Sequence, residues 1–289
     1  MSHEIRTPMN AILGMADLLS DGPLNVEQRR YVDTMRSNGN ALLRLINDIL
    51  DVAKIESGRL SLESVSFDLE DEINRVIETM SVRAHAKGLE ITSRILPHVP
   101  ARLIGDPLRL RQILINLEAN AIKFTHKGEV ALTVECLTPA EALRLGFSAG
   151  SPSEDNGEGR APAVWLRFSV ADSGIGIPAD KLGAIFSGFT QADASVSRRF
   201  GGSGLGLTIV RRLSEMMSGR VEAESALGRG SIFRVTVPLE IDTQPSASAQ
   251  SATAVSLDGV RILVVDDSKT NRLMIWPVIA EEFGIIRQN

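Results

Sequence analysis

Apolar residues recur at helical spacing through Ile113, Leu114, Leu117, Ala121 and Ile122. Asn116, Asn120 and Lys123 fall four and three residues apart on the other stripe of the same stretch. The spacing predicts a helix with one face against a sheet and two amides and an ammonium on the other. The same period runs through the first part of the chain, residues 1 to about 56, as a helical hairpin. Ile5, Met9, Ile12, Leu13, Ala16 and Leu19 make one arm; Met35, Leu42, Leu45, Ile46, Ile49, Leu50, Val52 and Ile55 make the second. Between them, Ser20-Asp21-Gly22-Pro23 supplies a turn in which Gly permits positive φ and Pro ends the first arm. Asn25 is the expected N-cap of the second. Two such arms cannot bury both stripes as an isolated pair. A dimer forming a four-helix bundle is the simplest remedy.

The pattern changes after Ser57. Val65 and Phe67 predict a short strand, Asp68 caps a helix over Leu69 to Lys87, and Glu90 to Leu96 alternates as a strand that ends at Pro97. Gly105-Asp106-Pro107 opens the asparagine helix. Val130 to Leu137 and Val164 to Ala171 are β-rich. Thr138 to Ala163, rich in Gly, Ser, Glu and Pro, is a long connection with a short helix near Leu137 to Leu145 and expected disorder over Gly150 to Pro162. A helix follows Gly206 as far as Ser218, and Gly228-Arg229-Gly230-Ser231 turns between strands Val221–Ser225 and Ile232–Leu239. The fold class is therefore α+β. A helical hairpin at 1–66 precedes an α/β sandwich at 67–240 with an insertion at 138–163, a flexible linker at 241–257 and a remainder at 258–289.

Composition narrows the function classes. A length of 289 residues suits about two domains, and a net charge of -5 without a basic cluster argues against nucleic acid. Cys136 is the only cysteine and reads as a small buried strand residue in a reducing compartment, not as a disulfide or metal-thiolate partner. No apolar run approaches the ~18 residues of a membrane helix. Glu4 and Arg6 follow Met1 at once, unlike a signal peptide. The expected location is cytoplasmic, with any inner-membrane anchor of a longer parent lying upstream.

Four stretches carry candidate chemistry. Asn side-chain carbonyls can coordinate a hard cation and Lys123 can supply a point charge for phosphate, although an ordinary polar helix face would look the same. His3 has Glu4 beside it and Thr7 one turn away. An imidazole attacks phosphorus if a carboxylate takes its other N–H, but an exposed inert histidine is the bland alternative. Asp172 ends a strand, where a carboxylate can accept from an adenine amino group. Gly174 and Gly176 behind it let backbone approach a ring that a Cβ would strike, as would an ordinary loop. Gly201-Gly202-Ser203-Gly204-Leu205-Gly206-Leu207 opens a helix, and its backbone N–H groups make an anion site. Its spacing is not the dinucleotide fingerprint, and no G-x-x-x-x-G-K-[ST] string exists.

Ser2-His3-Glu4-Ile5-Arg6-Thr7-Pro8 resembles the phosphoacceptor box of sensor histidine kinases. Asn116 to Thr125, N-L-E-A-N-A-I-K-F-T, resembles their asparagine box, and D-S-G-I-G-I-P with G-G-S-G-L-G-L extends the match over roughly residues 1 to 240. The resemblance implies an ATP-dependent protein histidine autokinase of a two-component phosphorelay, a hybrid type with Mg2+ and ATP as cofactors. His3 would be the nucleophile, Glu4 its orienting base, and Thr7 the residue that helps water in the reverse reaction. Asn116, Asn120, Lys123, Asp172, Gly174, Gly176, Arg199, Gly202, Gly204, Leu205 and Gly206 would hold the nucleotide, with Asn120 on the metal. Ile185 to Phe189 would anchor a lid, with Gln191, Arg198 and Arg199 near the phosphates. Two departures stand out: Ser187-Gly188 replaces the usual Glu-Pro, and Glu118 occupies a small or apolar position, where an acid would face solvent or weaken polyphosphate binding.

Val260 to Asp267 resembles the opening of a response-regulator receiver domain, whose later phosphate-accepting aspartate lies beyond Asn289. With Pro277 inside the expected first helix and only about 30 residues to bury a core, this tail is expected to stay unfolded. The expected partners are a second copy through the hairpin and a receiver aspartate, in trans or in further C-terminal sequence. Two other functions stay open: an ATP-driven switch or ATPase on the same nucleotide-binding fold, and a non-catalytic dimeric scaffold. Against the first, Asn116 stands where such ATPases carry the acid that activates water. His3 also sits in a first helical turn, which frays, so autophosphorylation is expected to improve when helix precedes it.

Overall fold

The computed structural model describes residues 2–147, 162–187 and 204–243, with side chains from Ile5 onward. Helix α1 (Ser2–Ser20) and helix α2 (Val26–Glu56) form the antiparallel hairpin. Asn25 caps α2 in a full capping box with Gln28, as its place before the apolar period predicted. Gly22 does not use the left-handed region, so the turn does not draw on the positive φ that glycine permits. Close packing at mid-hairpin depends on Gly39, where a Cβ would fall 2.7 Å from Leu13 Cδ2. Leu18 stays 75% exposed, and Ile12, Leu19, Met35, Leu42, Leu45 and Ile49 are exposed with it. One hairpin leaves most of its apolar stripe uncovered.

The sandwich begins with β1 (Val65–Asp68) and α3 (Leu69–His85), capped by the Asp68 side chain on Asp71 N–H. Then come β2 (Glu90–Ile95), β3 (Arg102–Gly105), α4 (Pro107–Phe124), β4 (Glu129–Cys136) and the short α5 (Pro139–Arg144). β5 (Ala163–Asp172), α6 (Ala179–Leu182), α7 (Gly206–Met216), β6 (Arg220–Ala226) and β7 (Gly230–Ile241) complete it. The seven strands form one sheet in the order β1-β3-β7-β5-β4-β2, with β6 sharing the other half of the β7 edge. Only β2 and β4 run parallel. Strand β3 was not expected from the sequence. The insertion's short helix is present as α5, with its own capping box at Thr138 and Glu141.

Alternation fixes the sheet's inner face. Val130, Leu132 and Val134 of β4, Leu166, Phe168 and Val170 of β5, and Phe233, Val235 and Val237 of β7 are all buried. Helix α4 lies on this face between α3 and α7. Its Ile113, Leu114, Leu117, Ala121 and Ile122 are buried as the periodicity required. Each of the Ile and Leu side chains contributes about 1.5–3 kcal/mol through removal from water, and the Ala121 methyl less. Glu118 contradicts the expectation that it faces solvent. It is wholly buried on this apolar face, with neither carboxylate oxygen partnered among the described residues. Cys136 is only half-buried, not a core residue, and burial pushes its thiol pKa up. The stretch expected to be disordered, as far as residue 161, the expected lid from Thr190 to Phe200, the expected 241–257 linker beyond residue 243, and the tail at 258–289 lie outside the described residues.

Candidate functional site

Pro107 at the first turn and the Asp106 side chain on Arg109 N–H start α4 sharply. Its buried face is locked to the sheet, so the opposite stripe is fixed in direction. Asn116 Nδ2 donates to Gln112 O at 2.9 Å, which leaves its Oδ1 turned toward the start of α7. A Cβ on Gly206 would lie 3.1 Å from that oxygen and 4.0 Å from Asn120 Nδ2. The glycine-opened end of α7 therefore abuts both asparagines. Gly204 just before it takes φ +70, and the N-cap of α7, Leu205, offers no side-chain hydrogen bond to its N–H groups. The Leu205 side chain is buried in the core, so only its backbone can serve a ligand.

The other end of the stripe meets β5. Asp172 accepts from Gly174 N at 2.8 Å and from the backbone and hydroxyl of Ser231. Burial nevertheless wins, and the Asp172 pKa is raised above the ordinary carboxylate value. A Cβ on Gly174 would fall 2.6 Å from Phe124 O and 2.9 Å from Thr125 Oγ1. Gly176, at φ +69, lies directly against the Ala226 carbonyl. Ile175 N donates to Phe124 O at 3.3 Å, tying this loop to the end of α4. Lys123 lies 4.7 Å from the Phe124 ring centroid. Burial and then the nearby Lys87 lower its pKa. Phe186 packs edge-on against Phe233.

The structure thus brings together Asn116, Asn120, Lys123, Asp172, Gly174, Gly176, Gly204, Leu205 and Gly206. Arg199 and Gly202 lie outside the described residues, as do Gln191 and Arg198. His3 and Glu4 occupy the first turn of α1 and Thr7 the next, exposed. Pro8 has no N–H to return to the Glu4 carbonyl, which loosens that turn. Sequence reasoning missed Thr125, which is buried with its hydroxyl on Ala121 O, as well as Lys87 and, just outside the nucleotide site, Gln112. Gln112 was findable, because it precedes Asn116 by one turn on the same stripe.

Among the described residues no group of three or more His, Cys, Asp or Glu side chains could hold a metal. Any cation here would be met by neutral amide oxygens, so its remaining ligands must come with an anionic ligand or water. That donor set suits a hard cation carried on a polyphosphate.

Residues 1–58 match the family model of the His Kinase A (phospho-acceptor) domain. Residues 105–241 match that of the Histidine kinase-, DNA gyrase B-, and HSP90-like ATPase. The chain belongs to the sensor histidine kinases. It is 36% identical over 97% of its length to the signal transduction histidine-protein kinase BarA of Escherichia coli K12, of which it covers 28%. Against the sensor histidine kinase GacS of Pseudomonas protegens it is 39% identical over 94% of its length and 27% of the relative's. The crystal structure of full-length ShkA in complex with AMPPNP superposes with a TM-score of 0.66 at 38% identity, over 85% of this histidine kinase chain and 46% of that one. The chain spans 12% of the length of hybrid signal transduction histidine kinase L of Dictyostelium discoideum and 29% of that of histidine kinase 3 of Arabidopsis thaliana. No helix among its described residues is long and apolar enough to cross a membrane.

Proposed function

We propose that this chain is an ATP-dependent protein histidine autokinase that phosphorylates His3 and passes the phosphoryl group to a receiver aspartate. The observation that carries the reading is the asparagine stripe. Asn116 and Asn120 face the glycine-opened start of α7 at one end, and a half-buried carboxylate, Asp172, stands at the other. A nucleotide spanning that stripe would put its adenine on Asp172 and its phosphates beside Asn116, Asn120, Lys123 and the N–H groups around Gly204 and Gly206. Arg199 and Gly202 would extend that contact from the lid side. Mg2+ fits beside Asn120, where it would neutralise charge on the phosphates. The chain's own part is positioning. Glu4 would take the His3 N–H and leave the other nitrogen free to attack the γ-phosphate, forming the N–P bond as the bond to ADP breaks. Thr7 would orient water in the reverse reaction.

The uncovered stripes of α1 and α2 support a second copy of the chain as the bundle partner. The receiver that takes the phosphoryl group would stand in trans or in further C-terminal sequence, and the reaction would belong to the cytoplasmic side. Incubation with γ-labelled ATP tests the reading. Acid-labile label should form and should vanish in His3→Gln; equal labelling of that variant overturns the assignment.

A further inference from the structure

We propose that Asp51 and Gln112 form a positioning pair that sets the reach of the bound triphosphate to the phosphoacceptor. The inference rests on the autokinase reading and adds to it two residues outside the nucleotide site. Two cross-links fix the hairpin register. Arg6 Nη2 donates to Asn47 Oδ1 at 3.3 Å, and Arg36 Nε pairs with Asp17 Oδ1 at 2.7 Å. Both join residues whose numbers total 53, and antiparallel helices of equal rise keep that total. His3 therefore lies level with Leu50, one residue from Asp51.

Asp51 is where the sandwich touches the stalk with a polar bond. Gln112 Nε2 donates to Asp51 Oδ2 at 2.7 Å, while Arg109 Nη1 donates to Gln112 Oε1 at 2.8 Å and holds that amide's orientation. Val52 and Ile55 pack against the sandwich core around this bond, and Arg212 approaches Glu56 at 4.0 Å. The direction of the stripe supplies the rest. Its adenine end is at Thr125 and Asp172, and its phosphate end is about 13 Å of helix nearer the N-terminus, at Asn116. Continuing one further turn reaches Gln112. The phosphate chain is thus aimed along α4 at the contact that meets the stalk at the level of His3. An exposed surface pair would be weak, but this one is flanked by apolar contacts and braced by Arg109.

The test compares the full chain with Asp51→Ala, Asp51→Asn and Gln112→Glu. Loss of a hydrogen bond to a carboxylate should lower kcat for His3 labelling about tenfold in Asp51→Ala. Gln112→Glu, which sets two acids face to face, should fall at least as far. Asp51→Asn keeps an acceptor oxygen and should remain within about twofold of the parent, which also controls for folding. The KM for ATP and the Kd for a non-hydrolysable analogue should stay unchanged in Asp51→Ala, because Asp51 touches no part of the nucleotide site. Unchanged or increased kcat in Asp51→Ala overturns the pair, and so does a fall matched by lost nucleotide affinity. If the parent chain binds the analogue yet gives no His3-dependent label, the autokinase reading fails first and the pair falls with it.

Discussion

Lys87 Nζ lies 2.9 Å from the main-chain oxygen of Lys123 and 2.6 Å from that of Ile122. One ammonium thus closes the carbonyl end of α4 while repelling the second ammonium on its last turn. The two effects oppose each other at different atoms. Lys87→Met should cost about 1 kcal/mol of stability through the lost charge at the helix C-terminus. It should also raise the Lys123 pKa, since Lys87 is one of the two causes that lower it. Thermal melts read the first effect, and NMR titration of the Lys123 Nζ reads the second. A lower melting temperature with an unmoved Lys123 titration would contradict the electrostatic part.

Glu118 gives a prediction about pH. Burial raises its pKa from 4.5 to about 7, with no partner on either oxygen. The folded state then holds a proton that the unfolded state has released, so stability falls as pH rises from 4.5 through 7. The full penalty, about 3 kcal/mol, is present above that window and absent below it. Glu118→Leu should remove it and flatten the pH dependence of unfolding between pH 4.5 and 7. The side chain points into the core and not toward the asparagine stripe, so analogue binding should hardly change. A steeper slope in the variant, measured by urea melts across that range, would refute this account.

Gly58 and Gly176 separate backbone conformation from space. Both take positive φ, +64 and +69, but a Cβ on Gly58 meets nothing within 4 Å, whereas one on Gly176 strikes the Ala226 carbonyl. Gly58→Ala should cost about 1 kcal/mol, the left-handed penalty alone. Gly176→Ala adds displacement of the turn after β6 and should exceed about 2 kcal/mol. Equal costs in denaturant melts would show that the turn yields freely.

Local pattern explains which features were legible beforehand. The two stripes of α4, the caps at Asn25 and Asp68, and the alternation of β4 and β5 each depend on residues within one or two turns. Strand β3 was hidden because only Leu103 of its four residues is fully buried, and its partners β1 and β7 are distant in sequence. Glu118 was misplaced although Leu114 and Ile122, four residues either side, already marked its face as core. A carboxylate is so costly there that the expectation sent it either to solvent or to the edge of the polyphosphate pocket, and the structure buries it with the cost retained. The Asp51–Gln112 bond joins two elements across a domain junction, which no periodicity records. The site's glycines were readable as a cluster. That Gly206 abuts Asn116, rather than any other α4 residue, required the packing of α7.

On the proposed reading, Asp172 would tie recognition of the base to protonation. Its pKa is raised chiefly by burial, against the hydrogen bonds from Gly174 and Ser231 that favour the charged form. An adenine amino group donates, so only the ionised carboxylate offers both oxygens as acceptors. Analogue affinity should therefore weaken as pH falls, beginning above the ordinary aspartate value of about 3.9. The ligand-free protein responds with the opposite sign: the buried acid gains from protonation, and stability rises over the same window as pH falls. Asp172→Asn should lose about ten- to hundredfold in affinity and the acid-side pH dependence together. Calorimetric titration of parent and variant from pH 4 to pH 8 measures both. If the variant binds less tightly but keeps the parent's pH slope, the titrating group lies elsewhere in the pocket and Asp172 only shapes it.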